Sequence, residues 1–290
     1  MQAFLHQVAS GLANGGLYAC VALALVMIYQ ATHFINFAQG EMAMCSTYLA
    51  WAMLEAGLPY WMAFGLTLAF SFIAGIAIER IIIRPVERGP ALTIVAVSIG
   101  LLLILNSLAG WIFGYTIKRF PSPFPPIAWY GSRYLSSHEA GMIVVTLAVL
   151  LLVLLFFRCT PLGLAMRAAA QNPVSSRLVG IRVGWMLAFG WGLAGAIGAV
   201  AGIMAAPMIY LDPSMMSGIL LYGFAAALLG GINNPWGAAL GGFFVGVLEN
   251  LAGAYLVGTE LKLTLALAII VGVLVFKPAG LFGRTLVTRV

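Results

Sequence analysis

Apolar residues run along this chain in long blocks, not in the alternation of a half-buried strand or the single stripe of a soluble amphipathic helix. A helical crossing of the bilayer core takes about 20 mostly apolar residues. Blocks of that kind lie at 9–29, 34–54, 61–78, 92–113, 141–157, 185–210, 219–232, 238–257 and 261–276. They predict an all-α polytopic membrane protein with eight or nine transmembrane segments in a single domain over 1–290. The second block is the exception, because Asn36, Gln39, Gly40 and Glu41 make its first half too polar for lipid. A broken or re-entrant helix there is the alternative to a plain crossing.

Composition agrees with the pattern. The 290 residues are 63% hydrophobic and 8% charged, against roughly 25% charged in soluble domains, which excludes a water-soluble globule. Fourteen Lys and Arg against eight Asp and Glu give a net charge of +6. Arg80, Arg84 and Arg88 follow the third block, Arg158, Arg167, Arg177 and Arg182 the fifth, and Lys277, Arg284 and Arg289 the last. The positive-inside rule makes these three places cytoplasmic. The excess is therefore a topology signal, lipid is the expected surroundings, and no nucleic acid partner is implied. The loop 114–140 then lies outside despite Lys118, Arg119 and Arg133, and nine crossings run from an outer start to an inner end. Trp51, Tyr60, Trp61, Trp111, Tyr115, Trp129 and Tyr130 fall near the outer interface, where amphipathic rings settle. No Lys or Arg precedes Arg80, so the first block lacks the basic start of a signal peptide and is expected to remain a membrane helix. Cys20, Cys45 and Cys159 have neither disulfide nor metal spacing and read as packing residues.

Thirty-four glycines exceed ordinary usage of about 7%. Gly11 and Gly15, Gly198 and Gly202, Gly237 and Gly241, and Gly242 and Gly246 have the small-xxx-small spacing of closely packed membrane helices.

Chemistry is sparse. In the loop 158–183, RCTPLGLAMRAAAQNPVSSRLVGIRV, Thr160 can cap a helix that begins with Pro161, Asn172 and Pro173 repeat the arrangement, and Gly180 offers a stop. Two short basic helices in an otherwise short-looped protein are a handle for a partner, or simply a positive-inside loop that is helical. The proline- and aromatic-rich external loop should be irregular, either a docking surface or a connection. Ionisable groups at membrane depth cost about 2.5–3.5 kcal/mol on insertion scales, which singles out Glu41 and Glu249. With Asn36, Gln39 and Asn250 they are candidates for a permeation path. Their plain alternative is structural hydrogen bonding, Glu41 at a helix N-terminus and Glu249 between helices. His33 reads as capping or snorkelling, His6 and His138 as lying in or near water, and no metal spacing is present. GxxxxGK[ST], HExxH, GxSxG and a dinucleotide fingerprint are all absent, so no enzyme is expected and no cofactor is bound by the chain.

Five blocks taken in order carry a resemblance: GLANGGLYACVALALVMIYQATHFINFAQGEMAM, ERIIIRPVERG, PLGLAMRAAAQNPVSSRLVGI, ALLGGINNPWGAALGG and KPAGLFG. Together they resemble the permease subunits of branched-chain amino acid ABC importers of the LivH type, over nearly the whole chain. That resemblance implies a permease in the bacterial inner membrane beside a homologous second permease of the LivM type. It also implies two cytoplasmic ATPases, which hold ATP and Mg, and an external solute-binding protein. The loop 158–183 then becomes the coupling element, with Leu164, Arg167, Asn172 and Arg177 presented to the ATPase. Two departures stand out: Gln39 where the family usually has His, and Asn233, Asn234 and Trp236 where small residues are common. Substrates of the family include leucine, isoleucine and valine, other amino acids, and in some branches urea or short amides. The rivals are a stand-alone channel or secondary transporter, and a structural membrane scaffold.

Overall fold

Each of the nine apolar blocks contains a helix, and the second begins with a non-helical stretch before Gln39. The computed structural model describes residues 2–32, 34–87, 89–125, 135–256 and 258–283; His33, Arg88, Trp129, Tyr130, Arg133, Arg284 and Arg289 lie outside the described residues. In order come α1 (Gln2–Thr32), α2 (Gln39–Glu55) and α3 (Tyr60–Ile78), the last continuing through a π-helical turn, Glu79–Ile83, into α4 (Arg84–Val86). Next are α5 (Ala91–Phe113), α6 (Ser137–Cys159), α7 (Pro161–Gln171), α8 (Pro173–Leu178) and α9 (Val183–Ile209). The chain ends with α10 (Met216–Gly230), α11 (Pro235–Tyr255) and α12 (Lys262–Phe276). Six of the described helices are long and apolar enough to cross a membrane: Gln2–Gln30, Tyr60–Val86, Leu92–Phe113, Ser137–Cys159, Val183–Ile209 and Pro235–Tyr255. α2, α10 and α12 are shorter, at 17, 15 and 15 residues. The third crossing is longer than its apolar block because the π-turn carries the helix through the arginine-bearing stretch.

The chain divides into two compact units. The first holds Met1–Val26, Phe124–Thr146 and Gly218–Val290. Here α1 and α11 run antiparallel with no room for side chains between them. A Cβ on Gly11 would lie 2.8 Å from Val247 Cα, and one on Gly15 would lie 2.7 Å from Phe243 Cα. Gly237 and Gly241 meet the backbone of α10 in the same way. Since lipid is as apolar as leucine, backbone approach and dispersion hold such pairs together. Asn234 caps α11 by accepting from Trp236 N (3.1 Å) and donates to the Phe282 carbonyl (3.1 Å). Leu281 N and Phe282 N bond in turn to the Leu229 and Gly230 carbonyls at 2.7 and 3.2 Å. The blocks containing GGINNPWG and KPAGLFG are thus one packed structure. α6 begins with a reciprocal capping box, in which Glu139 N donates to Ser136 Oγ (3.1 Å) and Ser136 N to Glu139 Oε2 (2.8 Å).

The second unit holds Met27–Pro123 and Leu147–Ser217. Its centre is α9, flanked by α2 and α3. Gly195 faces the Ser71 carbonyl, 2.6 Å from an added Cβ, and Gly198 and Gly202 face Gln39, Ala43 and Thr47 on α2. Ser71 Oγ donates to Ser46 Oγ (2.7 Å), so α2 and α3 share a polar seam as well as apolar contact. Cys20 is buried, Cys45 half-buried and Cys159 exposed, so packing explains the first two better than the third.

Candidate functional site

Only the stretch before Gln39 in the second apolar block is non-helical; Gln39, Gly40 and Glu41 form the first turn of α2. Asn36 Oδ1 accepts from Ala38 N (3.0 Å) and satisfies a backbone donor that a continuing helix would have used, so the chain restarts at Gln39. Asn36 Nδ2 donates to Gln39 Oε1 (3.4 Å), and Gln39 Nε2 donates to the Ala194 carbonyl (3.0 Å). Ala194 lies 11 residues into the 27-residue α9, about 17 Å along it at about 1.5 Å per residue. α2 therefore begins beside the middle of α9, and its N-terminus is enclosed. Asn36, Gln39 and Glu41 are all buried, at 1%, 1% and 6% exposure. Glu41, in the first turn, sits where the helix dipole favours an anion. Its Oε2 accepts from Asn106 Nδ2 on α5 (3.3 Å), and among the described residues no cation pairs with it.

Glu249 and Asn250 belong to a second polar cluster, within the first unit. Tyr18 donates to Glu249 Oε2 (2.8 Å), and Lys262 Nζ stands 3.4 Å from Glu249 Oε1. Lys262 also donates to Asn250 Oδ1 (3.1 Å), while Asn250 Nδ2 donates to the Gln7 carbonyl (2.9 Å) and to Gln7 Oε1 (2.8 Å). The Tyr18 ring stacks on Tyr222 with centroids 4.8 Å apart. The five path candidates thus fall into two groups, each completed by residues that the sequence did not single out: Asn106 for the first, Tyr18, Lys262 and Gln7 for the second. Asn106 was visible as a lone amide in an apolar block and Lys262 as a lysine at the edge of another, but only the fold supplies their partners.

The loop 158–183 forms the two expected helices. Thr160 Oγ1 accepts from Gly163 N and Asn172 Oδ1 from Ser175 N, both at 3.0 Å, and Gly180 takes φ 85° after α8. Gly163, Met166 and Ala169 form the buried face of α7, and Gly163 lies against the Phe156 and Phe157 backbone at the end of α6. Leu164, Val174, Leu178 and Val179 are 61%, 68%, 84% and 75% exposed, and Arg167, Asn172 and Arg177 are exposed beside them. Four apolar side chains and two arginines of the helical pair are thus left exposed.

Among the described residues no three metal-ligating side chains converge. Buried carboxamides, carboxylates and a helix N-terminus can wall a polar passage, and the α7–α8 pair can grip a partner. Sequence comparison points the same way. Residues 7–274 match the family described as branched-chain amino acid transport system / permease component. The chain is 30% identical over 304 residues to the high-affinity branched-chain amino acid transport system permease protein LivH of Escherichia coli K12, covering 99% of this chain and 98% of that protein. It is also 30% identical, over 303 residues and the same shares, to the permease protein BraD of Pseudomonas aeruginosa. A probable LivH of Methanocaldococcus jannaschii is 29% identical over 92% of this chain and 89% of its own length.

Proposed function

The chain belongs to the family of branched-chain amino acid transport system permease components, and on that premise we propose that it is the membrane-spanning permease subunit of an ATP-driven importer for branched-chain amino acids. Its partners in this reading are a second, LivM-type permease, two ATPase subunits that carry ATP and Mg, and an external solute-binding protein. The assembly sits in the bacterial inner membrane.

The observation that carries the reading is the α7–α8 pair. Its caps and its buried Gly163, Met166 and Ala169 fix it rigidly to the ends of α6 and α9, so force applied to the exposed face is transmitted to two membrane helices. Leu164, Arg167, Asn172 and Arg177 are the contact residues we assign to the ATPase. A stand-alone channel or secondary transporter has no use for such a surface.

The threading has nine crossings. α2 is about 25 Å long and α10 about 22 Å, short of the roughly 30 Å hydrocarbon core, and each completes its crossing with the irregular stretch before it. Asn36, Gln39 and Glu41 line the passage at the first of these breaks, because non-helical backbone at membrane depth is tolerated where protein or a wet cavity satisfies it. Glu249 and Asn250, in the other unit, are the further polar residues we assign to translocation. The passage is a weak, wet one, since the binding protein supplies most of the selectivity. Replacing 164–177 by a flexible linker is expected to leave membrane insertion intact and abolish ATPase co-purification; normal assembly of that variant would sink the coupling role.

A further inference from the structure

After α9 the chain does not leave the bundle. Tyr210 has φ 66°, alone among the described non-glycine residues in being positive, a conformation uncommon for such a side chain, and it turns the backbone inward. Leu211, 0% exposed, pairs with Lys118 through both backbone bonds, Lys118 N to Leu211 O at 2.9 Å and Leu211 N to Lys118 O at 3.0 Å. Pro213, Met215 and Met216 are buried as well. The Pro213 carbonyl accepts from Asn106 Nδ2 at 2.8 Å, seven residues before the end of α5 and so about 10 Å below it. The same nitrogen is the one that bonds Glu41 at 3.3 Å. Both hydrogens of a single amide are thereby used, one on a membrane-depth carboxylate and one on the carbonyl of an inward-folded loop.

We propose that Asn106 is a positioning residue of the translocation path: its amide holds the segment 211–215 closed over Glu41, and passage of solute requires that bond to open. The inference rests on the importer reading and adds to it a closure on the outer side. The chemistry suits a gate. A buried proline carbonyl or carboxylate that loses its donor is costly in a dry site and cheap in a wet one, so opening and hydration favour each other. Asn106→Asp removes both donors and sets a carboxylate against Glu41, whereas Asn106→Gln keeps the amide.

The test uses the whole complex, with ATPases and binding protein, in proteoliposomes. Lys118 and Leu211 form a hydrogen-bonded antiparallel pair, whose usual Cα spacing of about 5.5 Å suits a disulfide. In Lys118→Cys/Leu211→Cys, oxidation should cut ATP-driven uptake of radiolabelled L-leucine at least about tenfold, with a reductant restoring it. Uptake at the unlinked rate after complete cross-linking would overturn the proposal. The second readout is Cys45, one turn beyond Glu41, in a chain carrying Cys20→Ser and Cys159→Ser. Labelling of Cys45 from outside by an impermeant maleimide should rise about tenfold in Asn106→Asp and stay near the starting rate in Asn106→Gln. An unchanged rate in Asn106→Asp would overturn the closure. Failure of the importer reading itself has a different signature, no ATP-driven uptake by the unaltered complex, and the Cys45 labelling decides the closure in that case too.

Discussion

Replacing Lys262 by methionine removes the cation that faces Glu249 while keeping a side chain of similar reach. Glu249 is left with one donor, Tyr18 at 2.8 Å, and Asn250 Oδ1 loses its bond from Lys262 at 3.1 Å. The Glu249 side chain is 6% exposed and that of Lys262 23%, so the pair lies between two regimes. An exposed pair is worth about 0–1 kcal/mol, and breaking a buried one costs about 3–5 kcal/mol. With one partner at the edge of water, a loss of about 2 kcal/mol follows. At about 2–4 °C per kcal/mol for a large domain, Tm should fall by about 4–8 °C. Membrane proteins commonly unfold irreversibly, so variants are compared in one detergent at one scan rate. The diagnostic is the double variant: Lys262→Met/Glu249→Gln removes the stranded charge and should recover more than half of the loss. A single variant as stable as the unaltered chain, or a double variant no better than the single, would refute the assignment of an ion pair across α11 and α12.

Glu249→Gln alone, and Asn36→Ala alone, should each slow uptake without releasing the ATPases; unchanged uptake in both at normal expression would leave these groups as structural hydrogen-bonding residues. Gly246→Leu should abolish accumulation of folded protein, because a Cβ there runs into the Gly15 backbone, whereas Gly65→Ala, which meets nothing within 4 Å, should be neutral. A cysteine at Gly89 should be shielded from an impermeant thiol reagent added outside and one at Tyr115, 70% exposed, should react; the reverse pattern would invert the topology.

Much of the fold was legible because its rules are local. Block length gives the helices, and Thr160, Pro161, Asn172, Pro173 and Gly180 mark the ends of α7 and α8 through capping and turn chemistry that involves only near neighbours. The glycine pairs announced close contact but not their partners: nothing in Gly11 and Gly15 names Val247 and Phe243. The candidate site shows the same boundary. Asn36, Gln39 and Glu41 stand out because polarity at membrane depth needs a reason, whereas Asn106 and Pro213 acquire their roles from contacts 65 and 107 residues away in sequence. The inward turn at Tyr210 left no compositional trace, since a tyrosine there reads as an ordinary interfacial anchor.

The central claim is that this chain moves branched-chain amino acids only as part of an ATP-driven assembly. Uptake of radiolabelled L-leucine into proteoliposomes holding this chain and its second permease, measured with and without the ATPase subunits and with ATP or a non-hydrolysable analogue inside, tests it most directly. Accumulation against a gradient that requires both the ATPases and hydrolysable ATP is the predicted result. Uptake at the same rate by the permeases alone, without ATP, would contradict the account and return the chain to the class of channels or secondary transporters.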